Sequence, residues 1–333
     1  MTQLSGFGEV SNVTIRILVD NKADLITKFK ATETVKYFTR VPLLAEHGFS
    51  MMFHTKNQSD SILLDGGVSK IALPENIKRL KINPVDVKKI VLSHGHHDHY
   101  TGISAFLDLR ELAGESPEQQ NWCRDVSASE VEQWIEDSKL PLYAHPAALR
   151  ERWRIEKSGK MEGPSVFNIL KEWEAKGVKV IVAETPQKLE PGVWTSGYVP
   201  RESFEKIGRP KNRLYRDGDK FLRDDIEDDQ SIIINLKDRG LVIISGCAHS
   251  GIINTINYAR KITGIDKVHA VIGGFHLAMA KAPEIKKTID YFKEINPTII
   301  TATHCTGLNA IKAFSDHFPN SFKEGIVGMK FLL

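Results

Sequence analysis

The sequence has few cysteines, no long uncharged apolar run and no large excess of one charge. Three cysteines among 333 residues cannot form the disulfide framework of a small secreted domain. No uncharged apolar run reaches the roughly 18 residues that a membrane-spanning helix needs, and the first residues show no basic segment followed by an apolar one. These absences predict a soluble, cytoplasmic protein without a membrane partner.

The charges nearly cancel, since 45 lysines and arginines face 42 aspartates and glutamates and leave a formal charge of +3. Such a balance offers no general attraction for nucleic acid or anionic membranes, so any preference for an anion has to be local. Hydrophobic residues make up 41% of the chain, enough for a sizeable core. The composition excludes disordered, collagen-like and coiled-coil proteins.

Strand-like and helix-like patterns alternate along the chain. Short runs rich in β-branched residues predict strands at 13–20, 50–55, 61–67, 88–94, 178–184, 231–236, 240–246, 268–274 and 298–304. Segments with helical character lie between them, at 74–82, 127–140, 145–156, 165–177, 251–264, 282–295 and 306–318. This alternation favours a layered α/β fold.

Two segments depart from this alternation. Residues 107–162 are polar and helix-prone, which predicts a helical insertion at the surface. Eight basic residues are spread over positions 201–223, and the acidic run DDIEDD follows at 224–229. Residues 201–229 are therefore predicted to form a charged loop. This loop is either a solvated surface or a basic rim that receives an anionic group of a substrate. We expect both segments to belong to a single domain over 1–333.

The strongest functional signal is the motif H-x-H-x-D-H, which begins at His94 directly after an apolar strand. Alternate side chains past a strand can point into one cavity, so His94 and His96 are expected to bind one metal ion. By the same reasoning Asp98 and His99 face a second ion. Imidazole and carboxylate ligands suit Zn, Mn, Fe or Co. His97 lies between the ligands and is expected to point away from the metals.

One loop cannot complete two coordination spheres, and histidines follow three other predicted strands. Cys247 and His249 follow one strand, His276 follows another, and His304 with Cys305 follows the third. We expect His249 and His304 to bind metal. The role of His276 is left open between a ligand, a substrate contact and a support for a ligand. Cys305 is expected beside a ligand rather than on the metal.

Seven motifs occur in the order found in one known superfamily: AEHGFS, LLDGG, SHGHHDHYTG, SGYVPR, EDDQSIIINLKDRGLVIISGCAHSGIINT, GGFHL and THCTG. They resemble the metallo-β-lactamase superfamily over nearly the whole chain. The resemblance implies a four-layer αββα sandwich with a dinuclear metal site at the edge of its two sheets. Within the superfamily, the motifs are similar to a subgroup of metal-dependent hydrolases. This subgroup includes the archaeal dihydropterin ribofuranosyl-aminobenzene phosphate synthases of methanopterin-type cofactor biosynthesis.

Carried over by position, the resemblance implies ligands for both ions. These are His94 and His96 for the first ion, and Asp98, His99 and His304 for the second. Asp65 in LLDGG matches a position that supports the ligand loop through hydrogen bonds.

The resemblance leaves the bridging ligand open. Many members carry Gly-Asp where this chain has Gly246-Cys247, and a histidine where it has EDDQS. Cys247, His249 or Asp229 could each bridge the ions, and Asp229 or Asp228 could substitute for the missing histidine. We favour His249 as the bridge, because a neutral imidazole demands least of the local geometry.

Such a centre indicates hydrolysis of a small ester or phosphoester by a metal-bound hydroxide. Asp98 and His276 are the candidate catalytic residues, and Arg201, Tyr100 and His276 are the candidate substrate contacts. The expected cofactors are two divalent ions, zinc first, with manganese or iron as alternatives. The expected partner is a small anionic molecule rather than nucleic acid, and homo-oligomerisation is left open.

The subgroup resemblance implies an alternative activity, a synthase that joins a dihydropterin diphosphate to a ribofuranosyl-aminobenzene phosphate. The metals would then bind the diphosphate leaving group rather than activate water. A third hypothesis, nucleic-acid processing, is disfavoured by the nearly neutral charge and by the lack of an additional nucleic-acid domain.

Overall fold

A computed structural model describes residues 4, 6–26, 31–38, 40–55, 60–114, 125–163, 169–205 and 212–333. Cys123 and parts of both unusual segments, 107–162 and 201–229, lie outside the described residues. Among the helices of the described ranges, none is long and apolar enough to cross a membrane.

The larger sheet has eight strands and mixes parallel and antiparallel pairs. In spatial order these are β2 (Val35–Lys36), β18 (Lys330–Leu332), β1 (Val13–Val19), β3 (Ser50–Thr55), β4 (Ser61–Leu64), β5 (Val87–Val91), β6 (Leu140–Ala144) and β9 (Val178–Val182). The last four pair in parallel. The predicted strands of this sheet are confirmed, apart from small differences at their ends.

The second sheet has six strands. They are β10 (Lys188–Glu190), β11 (Val193–Thr195), β14 (Ser231–Leu236), β15 (Gly240–Ser245), β16 (Val268–Gly274) and β17 (Ile299–Thr303), in that spatial order. Strands β15, β16 and β17 are parallel. Their carboxyl ends therefore meet at one edge of the sheet, where parallel sheets of this kind bind ligands.

Eight α-helices lie in the described ranges. They are α1 (Ala72–Arg79), α2 (His97–Tyr100), α3 (Ile103–Ala113), α4 (Ala128–Ser138), α5 (Leu170–Ala175), α6 (Ile252–Thr263), α7 (Ala282–Ile295) and α8 (Leu308–His317). In α6 the buried residues Ile252, Ile256 and Ala259 recur at helical spacing, which gives the helix one face toward the sheet.

Three buried clusters define four layers. One lies between the two sheets and brings Ile15 and Phe53 of the larger sheet together with Ile234 and Val242 of the second. Another packs α6, α7 and α8 against the outer face of the second sheet. The third packs α1, α3 and α5 against the outer face of the larger sheet. The predicted αββα sandwich is confirmed.

A third, four-stranded sheet corrects two predictions. Its strands are β13 (Lys220–Arg223), β12 (Arg213–Asp217), β7 (Arg152–Ile155) and β8 (Met161–Glu162), in that spatial order. The predicted helix over 145–156 is wrong, because only a short 3-10 turn, Pro146–Leu149, precedes β7. Pairing of β7 with β12 and β8 overrides its helical propensity.

The charged segment 201–229 is not only a loop, since it contains the hairpin of β12 and β13. The segment 107–162 contains the expected exposed helix, because α4 has no buried residue. It also contains β6, which pairs with β5 and β9 inside the larger sheet. The insertion is therefore smaller than predicted, and the single-domain organisation stays a prediction.

The buried His269 lies near the start of β16, away from the carboxyl end of the strand. Its burial predicts that the stability of the protein depends on pH. Burial, together with the nearby charges of Arg239 and Lys267, lowers the pKa of His269 to about 4. Within the described residues its buried Nε2 has no hydrogen-bond partner. Between pH 6.5 and 4 the unfolded chain therefore binds a proton that the folded chain refuses.

The free energy of unfolding should consequently fall by about 1–2 kcal/mol from this group between pH 7 and pH 4, with some screening by solvent. Urea unfolding of the wild type and of His269→Gln at both pH values measures this contribution. The variant should lose less stability on acidification than the wild type. An equal loss in both proteins would contradict the assignment.

Candidate metal centre

The ligand loop after β5 is held by one buried carboxylate. Asp65 Oδ1 accepts a hydrogen bond from the backbone N–H of Ser93 (2.7 Å), and its Oδ2 accepts one from Ser93 Oγ (2.6 Å). Asp65 Oδ2 also pairs with His99 Nδ1 at 2.7 Å. The supporting position that the resemblance implies for Asp65 therefore agrees with its contacts, which leave His99 Nε2 facing the centre.

Three imidazoles converge on the first candidate ion position. His94 Nε2 lies 2.9 Å from His96 Nδ1 and 3.2 Å from His249 Nε2. Cys247 joins them, because one ligand atom each of His94, Cys247 and His249 lies within 4.8 Å of the others. The predicted first-ion ligands His94 and His96 are thus brought together with His249.

A second group forms beside the first. One ligand atom each of His99, Cys247 and His304 lies within 4.8 Å of the others, and His99 Nε2 is 3.2 Å from Cys247 Sγ. Asp98 Oδ2 lies 3.4 Å from His304 Nε2 and 3.7 Å from His99 Nε2. The residues that the sequence assigned to the second ion therefore lie together.

The two groups share the sulfur of Cys247, and this sharing disfavours the expectation that His249 bridges. His249 belongs to the first group only. Asp229 Oδ2 instead accepts a hydrogen bond from the backbone N–H of Ser250 (2.8 Å). Asp228 Oδ2 accepts one from the backbone N–H of Gly95 (2.6 Å). Both aspartates thus support the loops that carry ligands, and the geometry favours Cys247 for the shared position.

His276 and Cys305 lie at the side of the centre. His276, Cys247 and Cys305 form a third group of converging ligand atoms. The ring of His276 lies 4.1 Å from that of His249, centroid to centroid. Cys305 Sγ donates to the backbone oxygen of Cys247 at 3.4 Å. His276 is therefore placed to serve any of the three roles that the sequence left open.

The donor atoms fit divalent metal ions. Burial lowers the pKa of His94, His96 and His249 well below its usual value, which keeps these imidazoles in the neutral form that binds metal. Together with the sulfur of Cys247 and the carboxylate of Asp98 in the second group, they provide the N, S and O ligands that zinc accepts. Without a cation, so many nitrogen lone pairs facing one another would be unfavourable.

Opposing electrostatic effects act on the second group. Burial would lower the pKa of His99, but the carboxylates of Asp65 and Asp98 raise it to about 9. Burial opposes the ionisation of Asp98, yet the imidazoles of His99 and His304 hold its pKa well below the usual range. Asp98 is therefore an ionised acceptor among histidines.

Strained backbone concentrates at this centre. Asp65, Ala248, His276 and His304 have φ values of 58°, 55°, 49° and 49°, a region that residues other than glycine seldom adopt. Each follows the end of a strand and turns the chain sharply beside the ligands. Such strain is typical of functional sites, where the surrounding structure stabilises it.

A cavity of about 380 Å³ opens beside His96. Its walls come from the ligand loop and from the small sheet, and they include Gly95, His96, His97, Arg152, Trp153, Arg154, Glu162, Gly163, Arg213 and Asp224. The side chain of His97 is 58% exposed and belongs to none of the groups of converging ligand atoms in the described residues.

Two predicted substrate contacts lie elsewhere. Tyr100 is packed in the cluster under α3 and α5, with its ring 6.4 Å from that of Trp173. Arg201 Nη2 donates to the backbone oxygens of Asp225 (2.6 Å) and Ile226 (3.0 Å). The structure places neither residue in the wall of the cavity, because each is engaged in packing or in holding a loop.

Sequence reasoning missed two features of the site. His47 Nε2 lies 3.4 Å from Asp98 Oδ2. Arg152 is buried between Asp224 and Asp228, with Nε 2.8 Å from Asp224 Oδ2 and Nη1 2.8 Å from Asp228 Oδ2. Asp228 also holds Gly95. Nothing in the sequence pairs Arg152 with an acidic run more than seventy residues away.

Comparisons with known proteins agree with this fold. Residues 48–115 match the model of the metallo-beta-lactamase superfamily. The chain is 30% identical over 314 residues to an uncharacterized protein of Methanocaldococcus jannaschii. The aligned region covers 94% of this chain and 98% of that protein. The chain belongs to the metallo-beta-lactamase superfamily, a superfamily of enzymes.

Within the superfamily, the chain is similar to one protein with a named activity. It is 28% identical over 327 residues to the 7,8-dihydropterin-6-methyl-4-(beta-D-ribofuranosyl)-aminobenzene-5'-phosphate synthase of Methanocaldococcus jannaschii, covering 96% of this chain and 97% of that one.

Two solved structures share the fold. One is Tm1679, a metal-dependent hydrolase of the beta-lactamase superfamily, with a TM-score of 0.68, 20% identity and coverage of 96% of this chain and 98% of that one. The other is YhfI from Bacillus subtilis, with a TM-score of 0.52, 12% identity and coverage of 97% and 100%.

Proposed function

We propose that this protein is a dinuclear metal-dependent hydrolase that acts on a small ester or phosphoester. The observation that carries the proposal is the pair of buried ligand groups sharing Cys247, located where the parallel strands of both sheets end. In this reading the whole chain forms one catalytic unit.

Each ion would have its own ligands and share one. His94, His96 and His249 would hold the first ion, Asp98, His99 and His304 the second, and Cys247 both. When bound, the ions supply Lewis-acid activation of water and of the attacked group. The nitrogen, sulfur and oxygen donors favour zinc, with manganese and iron as alternatives.

The chain's own groups position the reactants. Asp98, ionised and within 3.4 Å of both His47 Nε2 and His304 Nε2, is placed to accept a hydrogen bond from the attacking water. His276, half-buried beside His249, is placed to contact the substrate or donate a proton to the leaving group. Asp65 keeps the His99 ring in one orientation through its Nδ1.

A second candidate function is favoured by one observation. The 28% identity to the dihydropterin synthase extends over 96% of this chain, so it is not confined to the metal-binding motif. In a synthase reaction, the same centre would hold a diphosphate leaving group, and the attacking group would come from the second substrate.

One set of incubations separates the two functions. The hydrolase should cleave p-nitrophenyl esters or phosphoesters with a single substrate. The synthase should release diphosphate from a dihydropterin methyl diphosphate only when the ribofuranosyl-aminobenzene phosphate is also present. Diphosphate release that needs both substrates would contradict the hydrolase function and support the synthase function.

The metal centre is tested separately by Asp98→Ala, with Asp108→Asn on α3 as an exposed control. Elemental analysis should find about two ions per wild-type chain, fewer in Asp98→Ala and an unchanged number in the control. Activity of Asp98→Ala should fall by at least about a hundredfold. Full metal content and activity in Asp98→Ala would contradict the proposed centre.

A further inference from the structure

The small sheet carries two arginines that have no ion-pair or hydrogen-bond partner among the described residues. Arg154 on β7 and Arg213 on β12 are directly paired across the two strands, so their side chains lie on the same face of the sheet. Both residues line the same cavity as His96 and His97. The pair therefore faces the mouth of the metal centre.

Two like charges placed opposite each other on a sheet are unfavourable unless an anion compensates them. Within the described part of the chain, no carboxylate lies within ion-pair distance of either guanidinium. Burial lowers the pKa of Arg213, and the neighbouring charge of Arg154 lowers it further.

The other charged groups of the cavity do not fill this role. Arg152, on the same face of β7, is already neutralised by the buried carboxylates of Asp224 and Asp228. Glu162 lies across from Arg154 on β8, but it forms no ion pair in the described residues. Two guanidinium groups thus face one exposed carboxylate.

We propose that Arg154 and Arg213 form a subsite that binds a phosphate or diphosphate group of the substrate beside the metal centre. Guanidinium groups bind phosphate oxygens in bidentate fashion. A phosphate group carries close to two negative charges at neutral pH and offers three acceptor oxygens, so it can contact both guanidiniums at once. The cavity volume of about 380 Å³ is sufficient for a small phosphorylated molecule.

This inference rests on the proposed function in one respect, namely that the reaction takes place at the metal centre. It narrows the substrate class to phosphorylated small molecules. Because binding can be measured without turnover, the subsite and the hydrolase proposal fail separately.

The test is calorimetric titration of the metal-loaded, full-length protein at constant ionic strength, with inorganic diphosphate, inorganic phosphate and acetate as probes. Arg154→Gln and Arg213→Gln are compared with the wild type. Arg216→Gln is the matched control, because Arg216 lies on β12 as well but alternates to the other face. Metal content is measured for every variant.

Diphosphate and phosphate should bind the wild type more tightly than acetate. Each cavity variant should weaken diphosphate binding by at least about tenfold, with unchanged metal content, while Arg216→Gln binds like the wild type. Since Arg154 is exposed, Arg154→Gln decides the question even if Arg213→Gln does not fold. Unchanged affinity in Arg154→Gln, equal weakening in Arg216→Gln, or weakening that accompanies lost metal would overturn the proposal.

Discussion

Replacing Cys247 with serine should lower the metal content from about two ions per chain to fewer than one and remove nearly all activity. The reason is geometric, because Cys247 Sγ belongs to both ligand groups and lies 3.2 Å from His99 Nε2. A serine hydroxyl ionises far less readily than a thiol and is a much weaker metal ligand. One substitution should therefore weaken both positions, and elemental analysis after gel filtration measures the loss.

Cys305→Ser is the matched control for this prediction. Cys305 lies beside the centre and contacts the backbone oxygen of Cys247, but it belongs only to the third group with His276. Its substitution should leave the number of bound ions unchanged. Two ions retained in Cys247→Ser, or an equal loss in Cys305→Ser, would show that the shared position is not Cys247.

Replacing Arg152 with methionine should lower the free energy of unfolding by about 3–5 kcal/mol, as expected when one partner of a buried ion pair is removed. The substitution leaves the carboxylates of Asp224 and Asp228 buried without their countercharge. Asp228 also accepts a hydrogen bond from the backbone N–H of Gly95, the residue between His94 and His96 in the ligand loop. The loss of stability should therefore be accompanied by weaker metal binding.

Two further variants separate charge from packing. The triple variant Arg152→Met, Asp224→Asn, Asp228→Asn removes all three charges and should recover much of the lost stability, since a buried charge without a partner is the main cost. Arg150→Met breaks the more exposed pair with Glu227 (2.9 Å) and should cost about 1 kcal/mol or less. Urea unfolding of the four proteins compares them. Equal losses in Arg150→Met and Arg152→Met would refute the role given to the buried pair.

Local sequence patterns were sufficient to predict those features that depend on residues close together in the sequence. The motif that begins at His94 supplies four candidate ligands in six residues, and the structure places them side by side because one short stretch of chain, a loop followed by α2, carries them all. The strands that end before Cys247, His276 and His304 were recognisable from their apolar runs. Their parallel pairing then places these residues at one edge.

Features that depend on contacts between residues far apart in the sequence could not be predicted from local patterns. The strand β7 has a helix-compatible composition, and its pairing with β8 and with β12, some sixty residues later, makes it a strand. That pairing also places Arg213 opposite Arg154. Tyr100 and Arg201 looked like substrate contacts by position in sequence, but packing against Trp173 and hydrogen bonds to loop carbonyls engage them.

The alternation of strand-like and helix-like segments by itself indicated an α/β protein, and the clustered histidines by themselves predicted a metal-ligand loop. Ligand type and spacing are local properties, so a sequence displays them directly. Only the tertiary structure decided that Cys247 lies between both ligand groups, that Arg152 anchors the ligand loop, and that the small sheet faces the centre. These depend on which distant strands pair, and pairing is set by the packing of the whole core.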